Sequence, residues 1–439
     1  MGTGRRLAVL LIVLALIGIP AAALRADCAG ASCRSTAAAA TPAPFCALPA
    51  DLRALITAGM YEGRSPDALG VAGAQPLVSV VDHVSGRPIR VPWPSETLAD
   101  PAAMAAPLLF MGRDVRTTTL PAGVGLDQIA PTLEPILGFR RPHPEVRSGA
   151  AIPGVTQPAN ATPLVVLIVW KGVGARDVDR LGAPWLRNRS TDRGQGTGVA
   201  HGVASAGSLP LDPTAVESTI GTGALPSQHG ITGTWMRGAR GQVTLAFGRG
   251  APTPVVAALG DDLDRFTNGR ARIGLIQDAT GDVGLSGDAW YGTGQVRDRT
   301  LSASPDLSAQ VASFLAKGWG ADETPDLLAV PMSRSVIDDD RTTREIVDEV
   351  LAKVPDATIV VAGTGTLRTE DAAGPPIDPS GIVPMPGGAP AGGFFVDREP
   401  GATSTAQDVV EEMRGQRDGS EPVYADAFAD YAVRFGRYC

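Results

Sequence analysis

Residues Leu164–Val169 read LVVLIV, six aliphatic positions in a row with no polar break. A strand with one wet face alternates polar and apolar residues, so this run demands apolar cover on both sides. Three further stretches share its character: Ala271–Ile276 (ARIGLI), Asp326–Val330 (DLLAV) and Ala357–Ala362 (ATIVVA). Between the last two, Thr342–Val354 (TTREIVDEVLAKV) sets Ile346, Val347, Val350 and Leu351 on one helical face. Buried strands alternating with amphipathic helices predict an α/β fold, a mostly parallel central sheet with helices on both faces. The chain has 439 residues, 44% of them hydrophobic and 19% charged, which supplies a core large enough for such a sheet.

Upstream of the first long strand, Gln75–Asp82 (QPLVSVVD) and Pro107–Gly112 (PLLFMG) have strand character. Leu126–Phe139 predicts a helix, with Pro131 tolerable in its first turn. Downstream of Pro375 the chain is rich in Gly and Pro as far as Gly393. A short apolar stretch, a helix over Ala406–Arg414 and the segment Asp426–Tyr438 then complete it.

The N-terminus has the pattern of an export signal. Arg5 and Arg6 precede an apolar run from Leu7 to Ile19, followed by Pro20 and Ala21–Ala23. Extended to Leu24, the run is 18 residues long, enough to span a bilayer. Residues 1–26 therefore read as a cleaved signal peptide or a membrane anchor, and both readings stay open. Residues 27–50, rich in Ala, Pro, Ser and Thr, read as a linker outside the cytoplasm. The expected location is the cell envelope, anchored or secreted, with membrane contact only through this segment. The four cysteines, Cys28, Cys33, Cys46 and Cys439, are an even number that suits disulfides there, in any of three connectivities. The net charge of -8 argues against a nucleic-acid partner, which needs a basic face to displace counterions.

Two stretches carry a family likeness. Val166–Leu181 reads VLIVWKGVGARDVDRL, and Pro213–Gly233 reads PTAVESTIGTGALPSQHGITG. Together they resemble the alkaline phosphatase superfamily, in particular its nucleotide pyrophosphatase and phosphodiesterase branch. The likeness rests on Thr222-Gly223, Pro226 and His229-Gly230, and continues through Pro325–Val330 and Thr342–Ala362 to cover about residues 163–439. Pro107–Gly149 is similar to the family's usual C-terminal end, yet it stands before the first long strand. That order implies a circular permutation, with residues 51–150 pairing into the main sheet; a small separate N-terminal domain is the competing reading. A Cys46–Cys439 bond would fit neighbouring ends.

The resemblance implies two metal ions, usually zinc, that activate a Thr or Ser nucleophile. Position by position, the ligands are missing. Lys171 stands where the first carboxylate is expected, just before Gly172. The nucleophile position falls on Pro213, with Thr214 able to serve after a shift of one residue. The acid and histidine positions after the later strands meet Pro331–Arg341 and Gly363-Thr364-Gly365, which contain no histidine. Of the four histidines, His83, His143, His201 and His229, only His229 falls on the family pattern, where its role is structural.

The expectation is therefore a metal-free pseudoenzyme, a binding or assembly module of the envelope. Its degenerate cleft, near Lys171, Thr214 and Gly363, would hold an anionic small molecule through Lys171 and backbone N–H groups, or serve an unknown envelope partner. The alternative is an active phosphoester hydrolase with rebuilt zinc ligands, using Thr214 as nucleophile and some of Asp326, Asp338 and Asp340 on metal. A purely structural envelope component is the third reading.

Overall fold

A computed structural model of the chain describes residues 49–69, 71–72, 77–81, 88–92, 97–98, 101–157, 161–189, 197–288, 290–291, 298–301, 306–366 and 393–396. The leader, the cysteines, His83 and the predicted C-terminal helix lie outside the described residues. Among those described, no helix is long and apolar enough to cross a membrane.

Eight strands form the central sheet: β1 (Ala105–Gly112), β2 (Thr118–Thr119), β3 (Leu164–Trp170), β4 (Gly198–Ser205), β5 (Ile273–Gln277), β6 (Asp298–Leu301), β7 (Asp326–Met332) and β8 (Thr358–Gly363). Their spatial order is β6-β5-β7-β3-β8-β1-β4-β2. β3 lies at the centre, with Leu164 paired to Asp326 of β7 on one side and Val165 paired to Thr358 of β8 on the other. β1 is antiparallel to both its neighbours, β8 and β4, and the other strands share one direction. The chain is thus a mixed α/β protein with a mostly parallel sheet.

The seven residues of β3 are all buried, as the unbroken apolar run required. Successive side chains point to opposite faces and join two different cores. Val165, Leu167 and Val169 cluster with residues of the helices α2 (Ile129–Ile136), α4 (Pro213–Thr222) and α5 (Leu259–Phe266). Val166, Ile168 and Trp170 cluster instead with α6 (Leu307–Ala316) and α7 (Val336–Lys353). The helix α1 (Ala50–Gly59) precedes the sheet, and α3 (Ala175–Leu181) follows β3. The Thr342–Val354 periodicity is real, but α7 begins earlier, at Val336, where Ser335 caps it by accepting from Asp338 N.

The segment before β3 does not stand apart. β1 fills the position between β8 and β4, with Leu108 opposite Ala362 and Leu109 opposite His201. Ile129, Leu133 and Ile136 of α2 share the core of α4. Arg141 and Arg147 reach across to α4 and α5, donating to Thr222 O and Asp262 from buried guanidinium ends.

α4 is buried along its whole length from Thr214 to Thr222, although its sequence is rich in β-branched and small polar residues. Tertiary contact, not intrinsic propensity, keeps it helical. It lies against the turn Thr280–Ser286 at a distance only glycine allows. A Cβ on Gly281 would sit 2.2 Å from Thr214 Oγ1, and one on Gly284 would sit 2.3 Å from Ser218 Oγ. This approach brings α4 against the loop that follows β5.

Candidate functional site

Strands that run in one direction present their C-terminal ends on one edge of the sheet, where the following loops converge. Lys171 follows β3, Asp278 and Asp282 follow β5, and Ser333 follows β7. The N-terminal turn of α4 adds Thr214 and Glu217. Lys171, Thr214, Glu217, Asp282 and Ser333, with Thr234 and Ala279–Gly281, line a cleft of about 520 Å³, and Asp278 stands beside it.

Lys171 is the centre of the arrangement. Its Nζ donates to Asp282 Oδ1 at 2.9 Å and lies 3.3 Å from Asp278 Oδ2. Asp282 is held from the other side, where Oδ2 accepts from Asp278 N at 2.7 Å and Ala279 N at 2.6 Å. Ser333 Oγ donates to Asp278 Oδ2 at 2.7 Å. Burial by itself would depress the Lys171 ammonium, but Glu217, Asp282 and Asp278 outweigh it and hold its pKa above the usual lysine range. Burial would likewise raise Asp278, yet the bond from Ser333 and the charge of Lys171 keep it below the usual carboxylate range.

Glu217 completes the cluster from beneath. It is 1% exposed, and neither carboxyl oxygen has a donor partner. Burial, then the neighbouring charge of Asp282, pushes its carboxyl well above the usual range.

Thr214 belongs to a separate hydrogen-bonded chain. Asp212 caps α4, its Oδ1 accepting from Thr214 N at 2.9 Å and from Thr234 Oγ1 at 3.0 Å. Thr234 Oγ1 is also 3.0 Å from Thr214 Oγ1. A hydroxyl has one hydrogen, and Thr234 spends its own on Asp212, so Thr214 is the donor to Thr234. Burial raises the Asp212 carboxyl, against the bonds from Thr234 and the backbone of Thr214 and Ala215.

Lys171 and Thr214 line one cleft. Gly363 does not. It ends β8 packed so closely that an added Cβ would meet Val173 O at 2.2 Å and Pro107 Cδ at 2.6 Å, which leaves no room for a ligand. The Lys171 ammonium, expected to grip an anion, is already engaged by two carboxylates. The acids considered as rebuilt metal ligands do not converge. Asp326 starts β7 at the opposite edge of the sheet, accepting from Arg272 N and Gly320 N. Asp338 is exposed beside Ser335 and Arg341, and Asp340 accepts from Trp185 N and Leu186 N, both at 2.9 Å. Among the described residues, no three His, Cys, Asp or Glu side chains are grouped to hold a metal ion. The zinc pair implied by the resemblance does not fit this donor set. Comparison with family profiles, curated proteins and solved structures returned no match for the chain.

Glu217, Asp278 and Asp282 were not singled out from the sequence. Glu217 had a usable signal: it lies one helical turn after Thr214 and is the only charged residue in PTAVESTIGT. The two aspartates sit in an unremarkable loop, QDATGD, and their role follows only from the strand order.

His229 is structural in this protein. It is fully buried, its Nδ1 accepts from Ile231 N at 3.0 Å, and its Nε2 lies 3.2 Å from Thr219 Oγ1. Burial lowers its pKa to about 3. An unfolded histidine titrates near pH ~6.5, so between there and about 3 the unfolded chain binds the extra proton. The stability contributed by the neutral ring is present above the upper value and is lost as pH falls, at about 1.4 kcal/mol per pH unit. Urea titrations across that window should show a shallower acid slope for His229→Asn than for the parent; equal slopes would contradict the burial argument. His143, by contrast, is exposed beside Glu145, and His201 lies half-buried in β4.

Proposed function

We propose that the chain is an alkaline-phosphatase-like protein of the cell envelope that binds rather than hydrolyses. One observation carries this reading: Lys171 Nζ occupies the space between Asp282 and Asp278, above Glu217, at the carboxyl edge of β3. A tethered ammonium there supplies the positive charge that the acids need and repels a divalent cation. The cleft acts as a ligand pocket or assembly surface whose occupant is not anchored by Lys171.

The rival reading, a phosphoester hydrolase with rearranged ligands, draws support from the Thr214–Thr234–Asp212 chain. It gives the Thr214 proton a path toward a buried carboxylate. Metal analysis of the purified protein and a chromogenic phosphodiester assay separate the two. The binding reading expects no stoichiometric zinc and no turnover above buffer. Stoichiometric zinc, with turnover abolished in Thr214→Ala, would establish the hydrolase instead.

A further inference from the structure

Three carboxyls surround one ammonium at the cleft, and they differ in what holds them. Asp282 is fixed: Oδ2 accepts from two backbone N–H groups, and Oδ1 accepts from Lys171 Nζ at 2.9 Å. Asp278 stands at the mouth, 40% exposed, with the longer Nζ contact of 3.3 Å and a second donor in Ser333. Arg334 also acts on it. Glu217 is fully enclosed, and no donor, Lys171 included, comes within hydrogen-bond reach of its oxygens. The charged groups that act on it are Asp282, Lys171 and, at the cap of α4, Asp212. Groups on the other elements packed against α4 meet it further along. His229 lies at Thr219, Arg141 and Arg147 with Asp262 at Thr222, and Asp127 by Gly223. Asp261 is turned to Ala258 N and Trp290 N.

Glu217 has no route out to water. Thr214 and Ser218, on either side of it, press on Gly281 and Gly284, where an added Cβ would sit 2.2 and 2.3 Å from their hydroxyls. Burial and Asp282 keep the carboxyl protonated to unusually high pH. Once the proton is lost, an enclosed charge beside Asp282 needs a cation in place. Lys171 is the one cation among the groups that act on Glu217, and its stem is the flexible member of the cluster. Asp278 can release it, because solvent and Ser333 remain as partners.

We propose that this cluster is a pH-operated switch, in which Lys171 leaves Asp278 for Glu217 when Glu217 ionises, and stays on Asp282 throughout. The buried titration then emerges at the cleft mouth as an uncompensated Asp278 carboxylate, so the cleft takes up cationic ligands more readily at higher pH. Below the transition Lys171 covers Asp278. The switch rests on the binding reading of the cleft only for its purpose; the movement of the lysine is read without a ligand.

The chain has three lysines, Lys171, Lys317 and Lys353, so carbon-13 lysine labelling of the full chain gives three Cε signals. Lys317→Arg and Lys353→Arg, both at exposed positions, assign the third to Lys171. Between about pH 5 and 9 that signal should shift in one step lying above the ordinary glutamate range, and Glu217→Gln should abolish the step. Asp278→Asn should move the low-pH signal toward the parent's high-pH position. The proposal is overturned if the Lys171 signal does not move with pH, if it moves equally in Glu217→Gln, or if Asp278→Asn leaves its low-pH position unchanged. Zinc content and phosphodiester turnover, which test the function, play no part in this measurement, so the two readings fail separately.

Discussion

Replacing Lys171 with methionine is expected to lower the unfolding free energy by about 3–5 kcal/mol near neutral pH, the usual cost of removing one partner from a buried ion pair. Methionine keeps most of the stem's packing, so the loss reports the charge. Without the ammonium, Asp282 and Asp278 face each other beside Glu217, and Asp282 is 1% exposed. Its two backbone donors hold one oxygen and leave the other bare. Glu217 already has a raised carboxyl, and loss of the lysine cation would raise it further. Groups with raised folded pKa values favour the folded state at low pH and cease to do so as pH rises through them. The gap between Lys171→Met and the parent should therefore be widest above neutral pH and should narrow toward pH 5. Adding Glu217→Gln to Lys171→Met should recover part of the loss. Urea denaturation across pH decides this; a gap that does not change with pH would mean that Lys171 acts through packing alone.

Arg141→Met is expected to cost a similar ~3–5 kcal/mol, for a different reason. The Arg141 side chain is 1% exposed and Asp262 is 0% exposed, with Nε to Oδ2 at 2.7 Å. The two terminal nitrogens donate to Thr222 O at 2.8 Å and Ala257 O at 2.6 Å. Thr222 is the last residue of α4, so Arg141 satisfies one of the carbonyls that a helix end leaves unpaired and opposes the negative end of its dipole. Arg147 adds a second contact to both Asp262 and Thr222 O, at 3.1 Å each. It also donates to Ala257 O, at 3.4 Å, so it spares the three acceptors complete isolation, but over longer bonds than those of Arg141. Arg141→Lys should recover only a fraction, because an ammonium cannot reproduce a planar fork with three separate acceptors. Equal stability of Arg141→Met and the parent would show that the segment around residue 141 is not held through this arginine.

The features legible in the sequence were those in which local chemistry and final environment agree. β3 is aliphatic throughout because both its faces are covered, and no context was needed to read it. β4, GVAHGVAS, escaped notice because it lies near the sheet's edge with alternating partial exposure, where Gly, His and Ser are tolerated. α4 has weak helical propensity, and its burial against Gly281 and Gly284 is a long-range property. At the cleft, Lys171 was visible as a charge ending an apolar run, and Thr214 as a hydroxyl beside Pro213. Asp278 and Asp282 were not, since their approach to Lys171 depends on β5 lying beyond β7 in the sheet. Gly363 ends β8 with Pro107 and Val173 packed over it, a closure between distant segments that its own neighbours in sequence do not announce.

The reversed strand β1 has a consequence for how the molecule is made. Its partner across the ladder, β8, lies about 250 residues later in the chain. A nascent chain emerging from the ribosome must carry β1 unmatched on that side through most of synthesis, and the two halves of the sheet join only when β8 arrives. Closure of this kind is slow and leaves an apolar edge open until residues near 363 have been made.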